Sequence, residues 1–393
     1  MTASAISSHS PQTAEVFKPL QLLAYVHLRN IHGSTGAGRV ARQMMEHLAL
    51  QPGMNLRILA DRADHARIIP LVRQPWKSWP YCFMKNETSW QQAQWLLLNF
   101  PNAQSYWPGT QIVYCTAESY VPPGRARLAV TLHDAAFFEN DAHRAGAGLW
   151  KQRLKWHVLY RKLSRRADMF HTVSQFSADR LAHFFPSIES RLRVVHNAVP
   201  PRFFEPVSGE GEQYLAELDL LNHPFILLPR GLAHRKNADL VLEAWPLLRE
   251  KHPETKLVIT SHSDEPYASR ARLQKGVVLT GFVSDEALCS LYHAARLVWF
   301  PSLYEGFGLP VLEAMACGTP VVAGNTSSLP EVAGNAAILA SPHNRGEHVD
   351  AIDELLRDGA RRAALAKLGR ERASQFTWKV SAGNLRHHFS ELI

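Results

Sequence analysis

The sequence predicts an α/β protein with two Rossmann-like, doubly wound parallel-sheet domains that face each other across a cleft. The first observation is the length, because 393 residues exceed what one core usually supports and suit two domains. The second is that short apolar segments alternate with longer helical ones along both halves. The third is the composition, since 46% hydrophobic and 20% charged residues exclude a disordered chain.

The first half contains five predicted strands. A glycine-rich turn that includes Gly36 and Gly38 follows the first of them and leads into a helix with apolar positions Val40, Met44 and Leu48. Strands separated by helices imply parallel pairing through right-handed crossovers. In chain order, the predicted strands are Pro19–Leu28, Leu56–Ala60, Gln111–Cys115, Leu128–Leu132 and Met169–Val173.

The second half repeats this scheme. A helix is predicted over Ala238–Leu248, and the polar stretch Glu205–Gln213 is the natural linker between the halves. Ligands of such sheets bind outside the carboxyl ends of the strands, so the cleft is expected there. The predicted strands are Phe225–Leu228, Lys256–Thr260, Val277–Thr280, Leu297–Phe300 and Pro320–Ala323.

The termini and cysteines indicate a compartment. Residues 1–17 are polar, which predicts a loose, flexible tail rather than a signal peptide. No apolar run approaches the ~20 residues of a membrane-spanning helix. Cys82, Cys115, Cys289 and Cys317 are scattered without a C-x-x-C pair. This argues against a disulfide framework or a zinc site and predicts a reducing, cytoplasmic compartment.

Charge is distributed unevenly. Residues 1–205 carry 24 basic and 13 acidic side chains, whereas the remainder carries 19 and 22, so the first half is expected to meet an anionic partner. The segment 149–166 interleaves Lys and Arg with apolar residues. We favour a domain helix with a core-facing stripe; the alternative is a peripheral contact with anionic lipid. No nucleic-acid-binding module accompanies the charge, so no nucleic acid partner is expected.

The segment 301–322, PSLYEGFGLPVLEAMACGTPVV, carries the most chemical information. Gly306 and Gly308 make a loop whose backbone can approach a ligand closely. A helix that begins at Leu309, with a proline in its first turn, would direct free N–H groups at the cleft. Glu305 in the loop and Glu313, expected in the first helical turn, can bind hydroxyl groups of one extended ligand. An ordinary strand–loop–helix with a helix-dipole glutamate is the alternative.

A second segment is basic. Arg230 and Lys236 flank the turn PRGLAHRKN, directly after the predicted strand Phe225–Leu228. Arginine offers a fork for phosphate oxygens and lysine a compact charge. Two cations here would stabilise a diphosphate as it becomes a leaving group; solvated turn residues are the alternative.

His133 ends another predicted strand, where its side chain could meet a ligand across the cleft, although from the residues alone we favour a hydrogen-bonded structural histidine. Glu139 and Asp141 lie nearby, but the chain contains no Asp-x-Asp, and no metal is expected at the site.

The turn at Gly36 and Gly38 also supports a rival hypothesis. Gly36-x-Gly38-x-x-Ala41, with Asp61 after the next strand, matches a dinucleotide fingerprint and would indicate an NAD-dependent oxidoreductase. A plain glycine-rich loop explains the same residues.

Taken together, these segments resemble the retaining family 4 glycosyltransferases of the two-domain GT-B fold. EGFGLPVLEAMACGTPVV is similar to that family's E-x7-E signature, PRGLAHRKN to its phosphate segment, and TGAGR to its mobile first-domain loop. TGAGR, the His-Asp pair and RKN together are most similar to a subgroup that contains mannosyltransferases of polysaccharide and O-antigen synthesis.

The resemblance implies roles for individual residues. Glu305 would grip hydroxyls of the donor sugar and Glu313 the ribose of its nucleotide, with Arg230 and Lys236 on the diphosphate. His133 would lie beside the reacting carbon. The donor-binding backbone would include Gly36, Gly38, Gly306, Phe307, Gly308 and Leu309.

The resemblance also implies domains and an activity. Residues 18–205 would form the acceptor domain, joined by a C-terminal helix within 376–393, and residues 206–375 the nucleotide-sugar-binding domain. The expected reaction is metal-independent hexosyl transfer with retention, with mannose from GDP-mannose as the first candidate. The acceptor would be a glycan or a polyprenyl-diphosphate-linked saccharide, reached from the cytoplasm or the inner face of the plasma membrane. No cofactor beyond the nucleotide sugar is expected. The alternatives are the oxidoreductase and a non-catalytic nucleotide-sugar-binding protein.

Overall fold

A computed structural model of the chain describes residues 19–32, 36–139, 149–206 and 209–393. The predicted tail over residues 1–17 lies outside these ranges, and so does Asp141. The described residues form two parallel sheets, one in each half of the chain.

The first sheet has the strand order β3-β2-β1-β4-β5-β6-β7, with every pair parallel. It contains the five predicted strands, each with both ends within three residues of the predicted ones. The two additional strands, β3 and β7, have three residues each and lie at the edges. The bounds are β1 Leu20–Tyr25, β2 Met54–Ala60, β3 Tyr81–Phe83, β4 Ile112–Cys115, β5 Arg127–Thr131, β6 Met169–Thr172 and β7 Leu192–Val194.

The helices of the first half connect these strands. The predicted helix with Val40 and Met44 is α2, and it already begins at Gly36. The expectation of a loop at Gly36–Gly38 is therefore wrong, because these residues form its first turn. The helices are α1 Leu28–His32, α2 Gly36–Ala49, α3 Arg62–Ile68, α4 Thr88–Leu98, α5 Ala103–Tyr106, α6 Leu149–Arg166 and α7 Gln175–Phe184.

The second sheet has the order β10-β9-β8-β11-β12-β13, again with parallel pairs. Strands β8, β9, β11 and β12 are buried almost throughout, as expected of a sheet covered on both faces. The short edge strand β13 was not predicted. The bounds are β8 Phe225–Leu228, β9 Lys256–Thr260, β10 Val277–Gly281, β11 Leu297–Phe300, β12 Val321–Gly324 and β13 Ile338–Ala340.

The first helix of the second half lies partly within the predicted linker, whereas the predicted helix at Ala238 begins where expected. Residues 209–217 are helical, so the expectation that Glu205–Gln213 is a linker throughout is wrong; this helix, α8, packs against α11. The bounds are α8 Gly209–Glu217, α9 Ala238–Lys251, α10 Glu265–Arg272, α11 Asp285–Ala294, α12 Leu309–Ala316, α13 Leu329–Ala333, α14 Arg345–Arg357, α15 Gly359–Ala373 and α16 Trp378–Ser390.

The last helix, α16, returns to the first half. It packs against α2, and the buried ring of Phe389 meets Tyr114 of β4 at a centroid distance of 5.2 Å. Arg386 Nε donates to the carbonyl oxygen of Pro52 over 2.8 Å. The chain thus passes between the two halves twice. Both connections therefore constrain how the two sheets lie relative to each other.

Helix α6 has the predicted bounds. Leu159, Tyr160 and Leu163 are buried in the core of the first half, whereas Leu154 is exposed. The core-facing stripe that we favoured is therefore present, but it is narrower than the sequence suggested. Among the residues that the structure describes, no helix is both long enough and apolar enough to cross a membrane.

Candidate active site

Both sheets change strand order at their centre. Strand β1 lies between β2 and β4, and β8 lies between β9 and β11. Parallel sheets bind ligands beyond the carboxyl ends of the strands at such points. A cleft of about 520 Å³ lies there between the two halves. Its lining consists of Gly36, Ala37, Val40, His133, Asp134, Val173, Asn197, Arg230, Arg235, Lys236, Ser261, His262, Phe282, Glu305, Gly306, Phe307, Gly308, Leu309 and Pro310.

The basic turn after β8 is held in an unusual backbone conformation. Arg230 has φ 76° and Asn237 has φ 61°, a region that side chains other than glycine rarely adopt. Asn237 Nδ2 donates to the carbonyl oxygens of Pro301 and Pro342, over 3.1 and 2.6 Å. These bonds fix the turn against the segment that follows β11. Strain of this kind persists where the surrounding structure over-determines it, as around a binding site.

Lys236 and Glu305 form a buried ion pair on the cleft wall. The lysine Nζ donates to Oε1 of Glu305, and Arg235 Nη1 lies 3.8 Å from Oε2. Burial lowers the pKa of Lys236, partly offset by the attraction of Glu305. Burial would raise the pKa of Glu305, but Lys236 and Arg235 outweigh it and the pKa is lowered. Glu305 is therefore ionised near neutral pH, and the cleft presents a carboxylate beside two cations.

The glycine loop brings the two halves into contact. A Cβ atom on Gly306 would lie 2.9 Å from the carbonyl oxygen of His133, and one on Gly308, at φ +99°, would lie 2.6 Å from Leu329. Ser174 and Ser177 of the first half both donate to the carbonyl oxygen of Gly306, over 2.6 and 3.0 Å. A larger side chain at Gly306 would push the halves apart, so glycine is required for the close approach. At Gly308 a side chain would meet Leu329 within the second half.

Helix α12 begins where the sequence predicted. Gly308 is its N-cap and Pro310 lies in its first turn, so its free N–H groups and positive end lie at the cleft. Phe307 is buried, with its ring 6.0 Å from that of Phe376. An anion in the cleft would therefore meet a helix end as well as the basic turn.

His133 is positioned from the opposite half. Its backbone N–H donates to Oε1 of Glu118 over 2.8 Å, and the ring contributes to the cleft wall. The ring Nε2 is buried and has no hydrogen-bond partner among the described residues. Leaving a buried imidazole nitrogen without a hydrogen bond costs free energy. A ligand of the cleft that bonds to Nε2 would remove this cost.

Glu313 does not lie on the cleft wall. The expectation that it occupies the first helical turn is wrong, because it lies in the second turn of α12 and is 2% exposed. Its Oε1 accepts from Arg39 Nη2 over 2.8 Å and lies 3.6 Å from Arg230 Nη2; its Oε2 accepts from the Tyr292 hydroxyl over 2.9 Å. Arg39 belongs to α2, so the carboxylate joins the two halves.

The glycines of the first half divide between two environments. Gly36 lines the cleft and has open space where a Cβ would lie. Gly38 is buried within α2 and does not line the cleft. The geometry therefore gives no direct support to the expectation that Gly38 binds the donor.

The structure contradicts the dinucleotide-fingerprint interpretation of this turn. Helix α1 stands between β1, which ends at Tyr25, and Gly36, whereas the fingerprint requires a direct strand–glycine–helix turn. Asp61, the expected ribose ligand, caps α3 through the N–H groups of Ala63 and Asp64 and accepts from Thr88. Its acceptor capacity is used within the protein.

Several cleft residues were not predicted. Ser261 and His262 follow β9, and Phe282 follows β10 and is 68% exposed. Asn197 is buried, and its Oδ1 has no hydrogen-bond partner in the described part of the chain. Arg235 was not predicted as a site residue, although it is next to Lys236, which was. The rule that parallel strands end at the site would have identified the first three; Asn197 lies after an edge strand and offered no comparable signal.

Residues 34–203 match the family model described as Glycosyltransferase Family 4, and residues 216–372 match Glycosyl transferases group 1. The O-antigen chain mannosyltransferase B of Escherichia coli is 28% identical over 88% of this chain and 93% of its own length. The D-inositol 3-phosphate glycosyltransferase of Corynebacterium aurimucosum is 30% identical over 85% and 83%.

Solved structures show the same fold. The Anabaena protein HepE, crystallised in complex with UDP and glucose, superposes with a TM-score of 0.70 at 16% identity, covering 95% of this chain and 100% of that one. A glycosyltransferase from Rickettsia africae superposes with a TM-score of 0.71 at 18% identity, covering 96% and 99%. The predicted GT-B architecture is confirmed.

Proposed function

Because the chain belongs to the family 4 glycosyltransferases, we propose that its cleft binds a nucleotide diphosphate sugar and transfers the sugar to an acceptor hydroxyl. One observation carries this proposal. Arg230, Arg235 and Lys236 converge with the ionised Glu305 on one wall, and His133 faces them from the other half. Cations suit a diphosphate and a carboxylate suits sugar hydroxyls, so one extended ligand satisfies both.

The reaction would break the bond between the anomeric carbon of the sugar and the β-phosphate oxygen. Negative charge then develops on the diphosphate, where Arg230, Lys236 and the start of α12 stabilise it. The acceptor oxygen forms the new bond on the same face, and a leaving phosphate oxygen takes the acceptor proton. This route retains the anomeric configuration and assigns charge stabilisation to protein groups, without a step that requires a metal ion.

Mannose from GDP-mannose is the first candidate donor. The support is the name of the Escherichia coli relative, a mannosyltransferase of O-antigen chains, and the corresponding acceptor would be a growing surface glycan. The binding of UDP and glucose by HepE supports a nucleotide sugar in general, and glucose or another hexose from UDP is the second candidate.

Phe282 is expected to stack on the nucleotide base. It lines the cleft beyond β10 and is largely exposed in the absence of a ligand, and stacking of a base on an aromatic ring contributes about 1–3 kcal/mol. Phe282→Ala should therefore raise the donor KM about tenfold with little change in kcat. Leu273→Ala, an exposed apolar residue outside the cleft lining, is the control in steady-state kinetics. A KM unchanged in Phe282→Ala would contradict this role.

Helices α4 and α6 of the first half have features of a membrane contact. Trp90 and Leu97 of α4 and Leu154 of α6 are exposed, and Lys162 of α6 donates to the Leu96 carbonyl oxygen over 3.1 Å, which holds the two helices together. Exposed apolar side chains beside a basic helix suit an anionic lipid surface. We propose peripheral association with the inner face of the plasma membrane, close to a polyprenyl-diphosphate-linked acceptor.

Sedimentation with vesicles tests this association. The protein should pellet with vesicles rich in anionic lipid, and the bound fraction should fall with added salt and in a Trp90→Ala, Leu97→Ala variant. The control is Leu221→Ala, an exposed leucine in the other half. Equal sedimentation with neutral and anionic vesicles would contradict the proposal.

The enzymatic proposal is tested by turnover. The purified chain is incubated with GDP-, UDP-, ADP- and dTDP-sugars and an acceptor extract, and the released nucleoside diphosphate is measured. Acceptor-dependent release from one donor is expected. Tight binding of a donor without acceptor-dependent release would instead favour the non-catalytic alternative.

A further inference from the structure

A group of metal-binding side chains lies outside the cleft. Cys289 and His293 of α11 and Cys317, which directly follows α12, place one ligand atom each within 4.8 Å of the others. The two cysteines are 28 residues apart in sequence, and their scatter argued against a zinc site. Helix packing brings them together, because α11 contacts α12.

The local structure explains this arrangement. Cys289 and His293 are four residues apart on one helix, so they lie on the same face, one turn from each other. Cys317 is held at the end of α12, where its N–H donates to the Glu313 carbonyl oxygen over 3.2 Å and its carbonyl oxygen accepts from Arg370 Nη2 over 3.1 Å. The three side chains are therefore fixed by regular backbone structure.

The environment favours ligation over simple packing. Cys317 is 5% exposed, and His293 Nε2 is buried without a hydrogen-bond partner among the described residues. The Cys289 Sγ lies 3.4 Å from the carbonyl oxygen of Arg202. Two cysteine sulfurs and an imidazole nitrogen form a donor set that zinc prefers.

We propose that Cys289, His293 and Cys317 bind one Zn²⁺ ion, which ties α11 to α12 behind the active site. In tetrahedral zinc sites with Zn–S near 2.3 Å, neighbouring sulfurs are about 3.8 Å apart, so separations within 4.8 Å require only small side-chain rotations. The thiols of Cys289 and Cys317 each release a proton to solvent on binding. Three protein ligands leave one position for water.

This site would support the neighbouring interdomain contact. Tyr292, next to His293 on α11, donates to Glu313 of α12, and Thr319 Oγ1 donates to the Tyr292 carbonyl oxygen over 2.6 Å. A metal that holds the two helices together would keep the hydroxyl and carboxylate in register. Its expected contribution is structural, since no ligand of the group lines the cleft.

Cobalt substitution tests the proposal on the full chain. The protein is treated with a chelator under reducing conditions and titrated with Co²⁺, then with Zn²⁺. One equivalent of Co²⁺ should give thiolate-to-cobalt charge-transfer bands that one equivalent of Zn²⁺ removes. Cys289→Ser and His293→Gln should weaken binding at least about 100-fold. Cys82→Ser, which removes a free cysteine of the first sheet, should leave the spectrum unchanged.

Thermal unfolding gives a second readout, because a ligand that binds only the folded state raises the unfolding temperature. Zn²⁺ should raise it in the parent and in Cys82→Ser but not in His293→Gln, a partly exposed position whose replacement should leave the fold intact. Absence of charge-transfer bands in the reduced parent protein would overturn the proposal. So would bands that persist unchanged in Cys289→Ser and His293→Gln, or formation of a Cys289–Cys317 disulfide with no metal binding after reduction.

Discussion

Replacing Lys236 with alanine is expected to lower kcat/KM for sugar transfer about 10²–10³-fold. The lysine is buried on the cleft wall and pairs with Glu305, so its charge acts in a region with little water. A preorganised cation directed at developing negative charge typically contributes this much to the rate. Because the charge on the diphosphate grows in the transition state, most of the loss should appear in kcat rather than in KM.

Two variants separate this effect from damage to the fold. Lys236→Met keeps most of the side-chain volume while removing the charge, and it should lose activity to the same extent. Lys251 lies away from the cleft, and its Nζ is 3.2 Å from Oδ2 of Asp353. Lys251→Ala should therefore retain the parental rate. Circular dichroism shows whether each variant is folded. A folded Lys236→Met enzyme with parental kcat would refute the assignment of the diphosphate to this wall.

Replacing Glu313 with alanine is expected to destabilise the protein by about 3–5 kcal/mol, because it leaves a buried charge without its partner. The side chains of Arg39 and Glu313 are 11% and 3% exposed. Burial would lower the pKa of Arg39, but Glu313 and Asp285 outweigh it and the pKa is raised, so the guanidinium stays charged. Without the Glu313 carboxylate, Arg39 would lose its nearest partner and keep Asp285 at 3.9 Å, while Arg230 would remain nearby. The measurement is urea unfolding of the full chain followed by circular dichroism.

An exposed pair provides the control. Arg361 and Glu354 lie 3.4 Å apart with about half of each side chain exposed, and Glu354→Ala should cost no more than about 1 kcal/mol. A double-mutant cycle of Arg39→Ala and Glu313→Ala measures the coupling directly. Independent, additive effects of these two substitutions would show that the pair does not link the two halves in solution.

This pair also bears on the expected ribose-binding role of Glu313. Both carboxylate oxygens already accept hydrogen bonds, so a ribose would add to or replace the bond from Arg39. Arg39→Ala should therefore separate the two roles: it removes the contact between the halves and leaves the carboxylate available to a donor.

The sequence predicted the central strands because they are continuous apolar runs, and it missed β3, β7 and β13 because three residues carry no periodic pattern. It predicted the cleft walls near Lys236 and Glu305, since each follows a strand end that local residues identify. It did not predict the bond between Arg39 and Glu313, which are 274 residues apart. Contacts of that kind depend on how two domains meet, and the same holds for Cys289 and Cys317.

The central claim is that the cleft binds a nucleotide diphosphate sugar on Arg230, Lys236 and Glu305. Isothermal titration of the purified chain with GDP-mannose, UDP-glucose and NAD⁺ tests it most directly. We expect one of the two sugar nucleotides to bind with a stoichiometry of one per chain, and its affinity to fall in the Arg230→Ala variant. NAD⁺ should give no binding heat. Binding of NAD⁺ in place of both sugar nucleotides, or sugar-nucleotide binding that is unaffected by Arg230→Ala, would contradict the account.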